Sequence, residues 1–453
     1  MSIFTALTMP YNLEEAFGAK DCTTDRMKQA ITDWFHLYYN QTATKDSDPC
    51  QRIAFTVVSK LAKTCFAEYQ ATSTDAFAQT VLSALDKVRK DAMQMLMIGG
   101  EAFLKPIFTP HGIAFSVIRR DNVLVFGRSA SGTPTDIGTI ERQTQGRFFY
   151  TLLERRSVDA TGRLTIRNTL YRSDVAGVLG YPVPLGSLVQ YETLAEEYTF
   201  PMPLGGLGLV YMRMATVNCV DGSADGVSVY APAVGLIHNI DRNEAELHTE
   251  FSNGRSKVFA SADLMTRDKN GRRRFSDDIF VALDESPEEI GVTIFSPTLR
   301  EQSFLNRKAE YLRNVESVIG IKRGLLSKVE TEEKTATEVA LSNSDYNLTI
   351  LDLQDIWDKA VKEAVRLCGI LGKLYRMPGA HEIAEDAVII DWGDGVLYNR
   401  DKVGQELLQQ VQMGLLSPER YLGWYYELPC DTPAQRERIR REYMPEINQL
   451  IED

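Results

Sequence analysis

The chain has 453 residues, 44% of them hydrophobic, enough for a substantial buried core spread over two to four folding units. Its formal net charge of −12 argues against the basic excess with which proteins grip nucleic acid through phosphates, though not against a protein that lets DNA pass, since an acidic surface repels phosphates. The six cysteines (Cys22, Cys50, Cys65, Cys219, Cys368, Cys430) form no CxxC pair, and no apolar run approaches the roughly 18 residues of a membrane span. With no basic, apolar secretory leader at Met1-Ser2-Ile3-Phe4, these features predict a soluble protein of a reducing, intracellular setting.

Residues 1–20 read as an irregular arm with a short helical piece at Leu13 to Phe17. Met27, Ile31, Trp34, Phe35 and Tyr38 then mark one helical face, and Ile53, Val57, Leu61, Cys65 and Tyr69 the next. A third helix is expected from Asp75 to Ile98, stopped by Gly99-Gly100. The aromatic run Trp34 to Tyr39 has no interleaved basic residues, so it reads as core or subunit contact and not as a base-stacking platform. From Glu101 the period becomes two. Phe103 to Phe108 and Ile113 to Val117 flank the turn Thr109-Pro110-His111-Gly112, and strands are expected at Val123 to Phe126, Phe148 to Glu154 and Leu164 to Tyr171. Residues 181–226 are rich in Gly and Pro and read as an extended connection with short strands such as Leu209 to Met214. Gly205-Gly206-Leu207-Gly208 lacks the Lys-Ser/Thr of a phosphate loop. Asp221 to Gly226 begins like a calcium loop, but its twelfth position is Pro232 in place of a bidentate glutamate.

A helix is expected from Ala231 to Ser252, with Val234, Ile237, Ile240, Leu247 and Phe251 on its apolar side. His238, Asp241, Glu244 and His248 share metal-ligand spacing there, yet solvated helix faces collect such residues routinely. An insertion, Gly254 to Pro297, carries β-type runs at Lys257 to Ala260, Ile279 to Leu283 and Val292 to Phe295. Its basic stretch Arg267 to Arg274 reads either as an exposed hairpin tip or as a docking or phosphate-contact surface. A second helix, Leu299 to Ile319, follows with the stripes Phe304, Tyr311, Val318 and Leu305, Leu312, Ile319.

A polar lead-in then opens one long helix through the capping box Thr335-Ala336-Thr337-Glu338. Its seam runs Val339, Tyr346, Ile350, Leu353, Trp357, Ala360, Ala364, Leu367, Leu371 and Leu374, with a missing beat near Ser342–Asn343, and Met377-Pro378-Gly379 ends it. At 1.5 Å per residue such a rod spans about 60 Å, more than a monomeric domain ordinarily needs. Beyond it come a strand, Ala387 to Trp392, and helices at Asp401 to Gln412, Ser417 to Tyr426 and Thr432 to Met444. The overall expectation is α+β.

Four stretches carry a resemblance to a known family: Asp225-Gly226-Val227-Ser228-Val229-Tyr230, Glu250 to Phe259, Gly320 to Ser327 before Lys334-Thr335-Ala336-Thr337-Glu338, and Asp391-Trp392-Gly393-Asp394-Gly395 with Gly414-Leu415-Leu416-Ser417. In that order the chain resembles the portal proteins of tailed double-stranded DNA bacteriophages. The resemblance implies a portal-type multidomain subunit, made in the host bacterial cytoplasm and placed in a homo-oligomeric ring, usually of twelve copies, at one capsid vertex of the virion. It assigns residues 1–225 to a wing, 226–253 to the first stem helix, 254–298 to a clip and 299–320 to the second stem helix. It assigns 321–335 to a tunnel loop, 336–398 to a spine helix with a wing strand, and 399–453 to a crown. The implied partners are the major capsid protein, the terminase large subunit, a head–tail adaptor and double-stranded DNA passing through, with no membrane and no cofactor, catalytic residue or metal. Lys322, Arg323, Lys328 and Lys334 would then face DNA, and Lys269, Arg272, Arg273 and Arg274 would dock the motor and adaptor. The competing reading of Lys328 and Lys334 is solubilising loop charge.

Two other classes remain beside this one. A packaging enzyme of the terminase class is disfavoured because the chain has no Walker loop, no clustered His/Cys and no Gly-x-Ser-x-Gly elbow. A non-portal virion protein built on a long coiled coil is disfavoured by the interrupted seam and the β insertion.

Overall fold

The three- and four-residue apolar spacings near the amino end form helices for the expected reason: each gives one face that can be buried. The computed structural model describes residues 13–40, 49–109, 112–254, 257–260, 265–267, 273–275, 292–295, 298–327, 336–384, 387–393, 400–426, 428–430 and 432–444. They divide into two compact units, residues 1–390 and 391–453, and combine helices with antiparallel sheets in an α+β fold.

In the first unit, α1 (Leu13–Phe17) precedes α2 (Asp25–Tyr39), which starts at Thr24, whose hydroxyl accepts from the Met27 N–H at 3.1 Å. Of the aromatic run, Trp34, Phe35 and Tyr38 are buried and only Tyr39 reaches the surface, beneath the Arg119 guanidinium, 5.1 Å from its ring. Next come α3 (Ile53–Cys65), β1 (Gln70–Ser73) and α4 (Ala76–Gly99), the last capped by Asp75, which accepts from Ala78 N–H at 2.7 Å. Helix α4 is the centre of the unit and packs on α2, α3, the long helix α7 (Ala336–Leu374) and the hairpin of β2 (Glu101–Thr109) with β3 (Gly112–Arg119). Residues 110–111 of that hairpin turn lie outside the described residues.

The six-stranded sheet contains β4 (Val123–Arg128), β5 (Pro134–Gln145), β6 (Phe148–Val158), β7 (Arg163–Ser173), β8 (Tyr181–Val183) and β9 (Glu197–Pro203), with both β8 and β9 pairing β7. Strand β10 (Val210–Arg213) pairs the free edge of β2. The periodicity reading passed over β1 and β5, and placed β8 and β9 only generally, as short strands within the extended connection 181–226. In β5 the reason is physical: Gly138 interrupts the apolar alternation because a Cβ there would lie 2.7 Å from the Phe17 ring, so the strand gives up a side chain to seat an aromatic from α1.

The turn from α4 into β2 is a backbone crossing. Gly100 sits at φ 78°, and a Cβ on it would lie 2.4 Å from the main chain of Gly226. Asp225 to Tyr230 are all buried beside this crossing. Val229 N–H and Ser228 Oγ both donate to the Met97 carbonyl at 2.9 Å, and the Tyr230 hydroxyl donates to Trp34 O at 2.8 Å.

Two buried ion clusters bind the sheets together. In the first, the fully buried Arg120 lies 2.9 Å from Glu101 and 3.0 Å from Asp225, while Arg128 also reaches Glu101 at 3.0 Å and Asp225 at 2.6 Å. Burial alone would raise the Asp225 pKa; the two guanidinium charges outweigh it and hold that carboxyl below its ordinary value. Tyr211 completes the cluster, donating to Glu101 at 2.7 Å. In the second cluster Glu154 of β6 binds Lys105 of β2 at 2.5 Å and Arg156 at 2.7 Å, and Arg156 donates to Leu207 O at 2.9 Å.

The second unit contains α8 (Arg400–Gln412), α9 (Pro418–Tyr425) and α10 (Pro433–Tyr443). Thr432 and Gln435 form a reciprocal capping box at the start of α10, and Glu419 of α9 binds Arg440 at 2.6 Å.

Removing one partner from a buried ion cluster leaves an uncompensated charge, so Glu101→Leu is expected to destabilise the first unit by roughly 3–5 kcal/mol in a denaturant titration. The second cluster gives a pH signature. Burial pushes Glu154 up, but Arg156 and Lys105 overcome it and hold the carboxyl at about 2, against an ordinary 4.5. Its folded pKa is depressed, so its contribution is complete above the ordinary value and lost as pH falls toward the folded one. Between pH 4.5 and 2 the parent protein should lose about 3 kcal/mol more stability than Glu154→Gln. Equal losses would contradict the assignment.

Candidate functional site

The segment locked at the glycine crossing runs directly into a helical pair. After a single 3-10 turn at Ala231–Ala233, containing Pro232, α5 (Val234–Asn253) begins, three residues later than the sequence suggests. Strands β11 (Lys257–Ala260) and β14 (Val292–Phe295) pair antiparallel, as do β12 (Met265–Arg267) and β13 (Arg273–Phe275), and α6 (Glu301–Ile319) follows. The expected run Ile279 to Leu283 lies outside the described residues.

Helices α5 and α6 are antiparallel partners. Acid residues on α5 meet basic residues at the start of and along α6: Glu250 with Arg300 at 2.8 Å, Glu246 with Arg307 at 3.2 Å, and Glu244 with Lys308 at 2.9 Å. These pairs are partly or largely exposed and screened by solvent, so they set polarity more than stability. The pair is moored to α3 at its entry: Lys308 donates to Gln51 Oε1 at 2.6 Å, and Gln51 N–H donates to Asp241 at 2.9 Å. Asp241 and Glu244, read as possible metal ligands by spacing, are thus engaged in protein contacts.

At the seam sits Asn243, fully buried. Its amide donates to Phe304 O at 3.1 Å, while its Oδ1 has no hydrogen-bond partner among the described residues. Outside the seam the pair is less apolar-buried than its stripes predict. Phe251, Leu305 and Val318 are exposed in the single chain, at 43%, 42% and 48%.

The loop after α6 is built on one residue. Gly320 closes the helix at φ 73°, and Glu316, fully buried, turns its carboxylate onto the loop. It accepts from Gly324 N–H at 3.1 Å, Leu326 N–H at 2.6 Å, Ser327 N–H at 2.9 Å and Ser327 Oγ at 2.8 Å. Lys60 of α3 hydrogen-bonds the Leu325 carbonyl, and Thr349 of α7 donates to Gly320 O at 3.0 Å. Lys322 and Arg323 stand exposed on this turn.

The other cations anticipated from sequence fall differently. Lys328, Lys334, Lys269 and Arg272 lie outside the described residues, as does Thr335 of the capping box. Arg273 and Arg274 occupy β13, opposite Arg267 and Thr266. The strands therefore leave from one end of α6 and Lys322–Arg323 from the other; its 19 residues separate the two ends by roughly 28 Å. Helix α7 then carries Ile350, Leu353, Trp357, Ala360, Ala364, Leu367 and Leu371 into the core, as its seam predicts, and Trp357 meets Phe66 edge-on at 5.4 Å. After it, residues 380–383 fold back over Gly369 and Gly372, where added Cβ atoms would meet His381 O at 2.6 Å and Phe77 at 2.8 Å. That return delivers β15 (Val388–Asp391) to β1.

Sequence reasoning missed Glu316 and Asn243. The signal was present: Glu316 lies on the stripe joining Leu312 to Ile319, a charge on an apolar face one turn before a helix-ending glycine. Among the described residues no cluster of His, Cys, Asp and Glu could hold a metal, and no helix is long and apolar enough to cross a membrane.

No family model matches the chain, and no curated protein does. Among solved structures it is similar to one titled the neck of a native GTA particle computed with C12 symmetry, with 13% identity, a TM-score of 0.49, and coverage of 92% of this chain and 98% of that chain.

A lone buried amide in an apolar helix seam fixes register at a cost in stability. Asn243→Leu should raise the thermal stability of the protein slightly, by roughly 1 kcal/mol, while broadening the distance distribution between spin labels on α5 and α6. A loss of stability with an unchanged distribution would count against the register role.

Proposed function

We propose that this chain is a portal-type subunit: a ring-forming, non-enzymatic component of a phage-like virion through which double-stranded DNA passes during packaging and ejection. The observation that carries the reading is the order of the described parts between Asp225 and Leu374. A buried lead-in enters an antiparallel helical pair with a small strand-containing insertion at one end. The other end carries a cationic turn, and a 39-residue helix follows whose seam from Ile350 to Leu371 is buried in the core of the first unit. The four sequence stretches that resemble portal proteins fall in or beside these parts, apart from the last, which opens the second unit.

On this reading the exposed apolar residues of the pair, Phe251, Leu305 and Val318, are covered by neighbouring copies, most simply in a twelvefold ring at a capsid vertex. The net charge of −12 repeated around a ring makes an acidic conduit that phosphates slide past, with Lys322 and Arg323, and Lys328 and Lys334 further along the loop, supplying brief attraction. The insertion, with Lys269, Arg272, Arg273 and Arg274, docks the terminase large subunit and then the head–tail adaptor, while the body of the ring meets the major capsid protein.

Class averages of the purified protein viewed down its axis should show a closed ring with cyclic symmetry; a monomer or a two-fold dimer would sink the proposal. Deleting Lys269 to Arg274 should leave the ring intact and impair motor or adaptor docking. Loss of the ring itself would remove the docking assignment.

A further inference from the structure

Lys322 and Arg323 are exposed, and neither makes an ion pair among the described residues. What distinguishes them from ordinary surface cations is their bracketing. Immediately before them, the buried Ile321 donates its N–H to the main-chain carbonyl of Glu316 at 3.0 Å. Immediately after them, Gly324 N–H donates to the Glu316 carboxylate at 3.1 Å, followed by Leu326 N–H, Ser327 N–H and Ser327 Oγ. A single residue thus holds the chain on both sides of the dipeptide. The turn is closed on itself by Leu325 N–H donating to Lys322 O at 3.1 Å, and tethered to α3 by Lys60.

We propose that Glu316 is a positioning residue that presents Lys322 and Arg323 as a fixed cationic pair for the phosphates of duplex DNA. The inference rests on the reading of this loop as a DNA contact. Its physical basis is preorganisation: a contact loop already ordered loses little conformational entropy when phosphates arrive. The means is unusual for a carboxylate near a cationic contact. Glu316 is fully buried with its oxygens committed to four donors, so its charge is spent on the loop and not on the neighbouring cations. In Glu316→Gln the charge is lost: the three N–H bonds accepted by Oε1 fall from charge-assisted to neutral strength, and the Ser327 hydroxyl loses its carboxylate acceptor.

The test uses the full-length protein in its assembled state, short duplex DNA as the probe, a salt series, and amide hydrogen exchange. Glu316→Gln should speed exchange at Gly324, Leu326 and Ser327 by roughly tenfold or more. It should also weaken duplex binding about fivefold and flatten the dependence of log affinity on log salt, as Lys322→Ala/Arg323→Ala does. Adding Glu316→Gln to that double variant should change binding no further. A merely structural role would lower the active fraction and leave the salt slope of the remaining protein as it was. If the double variant binds like the parent, the DNA-contact reading falls and this proposal with it. If the double variant binds weakly while Glu316→Gln loosens the amides and leaves the slope unchanged, the positioning role alone is overturned. Should Glu316→Gln fail to fold, Ser327→Ala removes one donor from the same carboxylate. An intermediate slope with faster exchange supports the proposal, and an unchanged slope with faster exchange overturns it.

Discussion

The first unit depends on a carboxylate with no access to water. Glu101 begins β2 at the end of α4, between Arg120 and Arg128, and shares both guanidinium groups with Asp225. Each residue comes from a different element: the start of one hairpin, the turn after it, the next sheet's first strand, and the segment leading to α5. Two positive and two negative charges balance inside a core that could tolerate none of them singly. Because the salt links are between elements and not within one, they fix where the sheets, the central helix and the helical pair lie relative to each other.

Around that point the structure uses glycines where it needs backbones to touch and polar side chains where it needs direction. Gly99, Gly100 and Gly226 permit the crossing, and Gly369 and Gly372 permit the return of the chain onto α7. Asn243 and Glu316 supply direction at the two places where the helical pair must be held, its seam and its terminal turn. Both are buried polar groups in settings where an apolar residue would pack more simply, and both sit where the chain changes course or partner.

Most of the helices were legible because their reason for existing is local. The buried faces of α2, α3, α4 and α7 repeat at helical spacing, and Thr24, Asp75 and Ser417 stand at the first turns. The sheet was legible only in part. Strand β5 hides because Gly138 makes room for Phe17, and β8 and β9 could be expected only as unplaced short strands because their prolines and exposed polar residues carry little period-two signal. The candidate site divides in the same way. Lys322 and Arg323 entered only through the family resemblance; the charge of Glu316 on an apolar stripe was visible, but its role is a tertiary fact, because it depends on a fold-back of the chain over the end of α6.

The crossing of Gly100 over Gly226 has a mechanical consequence. Where side chains separate two segments, a small push can be taken up by rotamer changes; here main chain rests on main chain, with no soft material between. Rotamer changes at Gly100 and Gly226 therefore have nothing to offer in taking up a displacement between the segment leading to α5 and the end of α4. The joint can shift only by moving main chain, which ties the placement of the helical pair to that of the central helix.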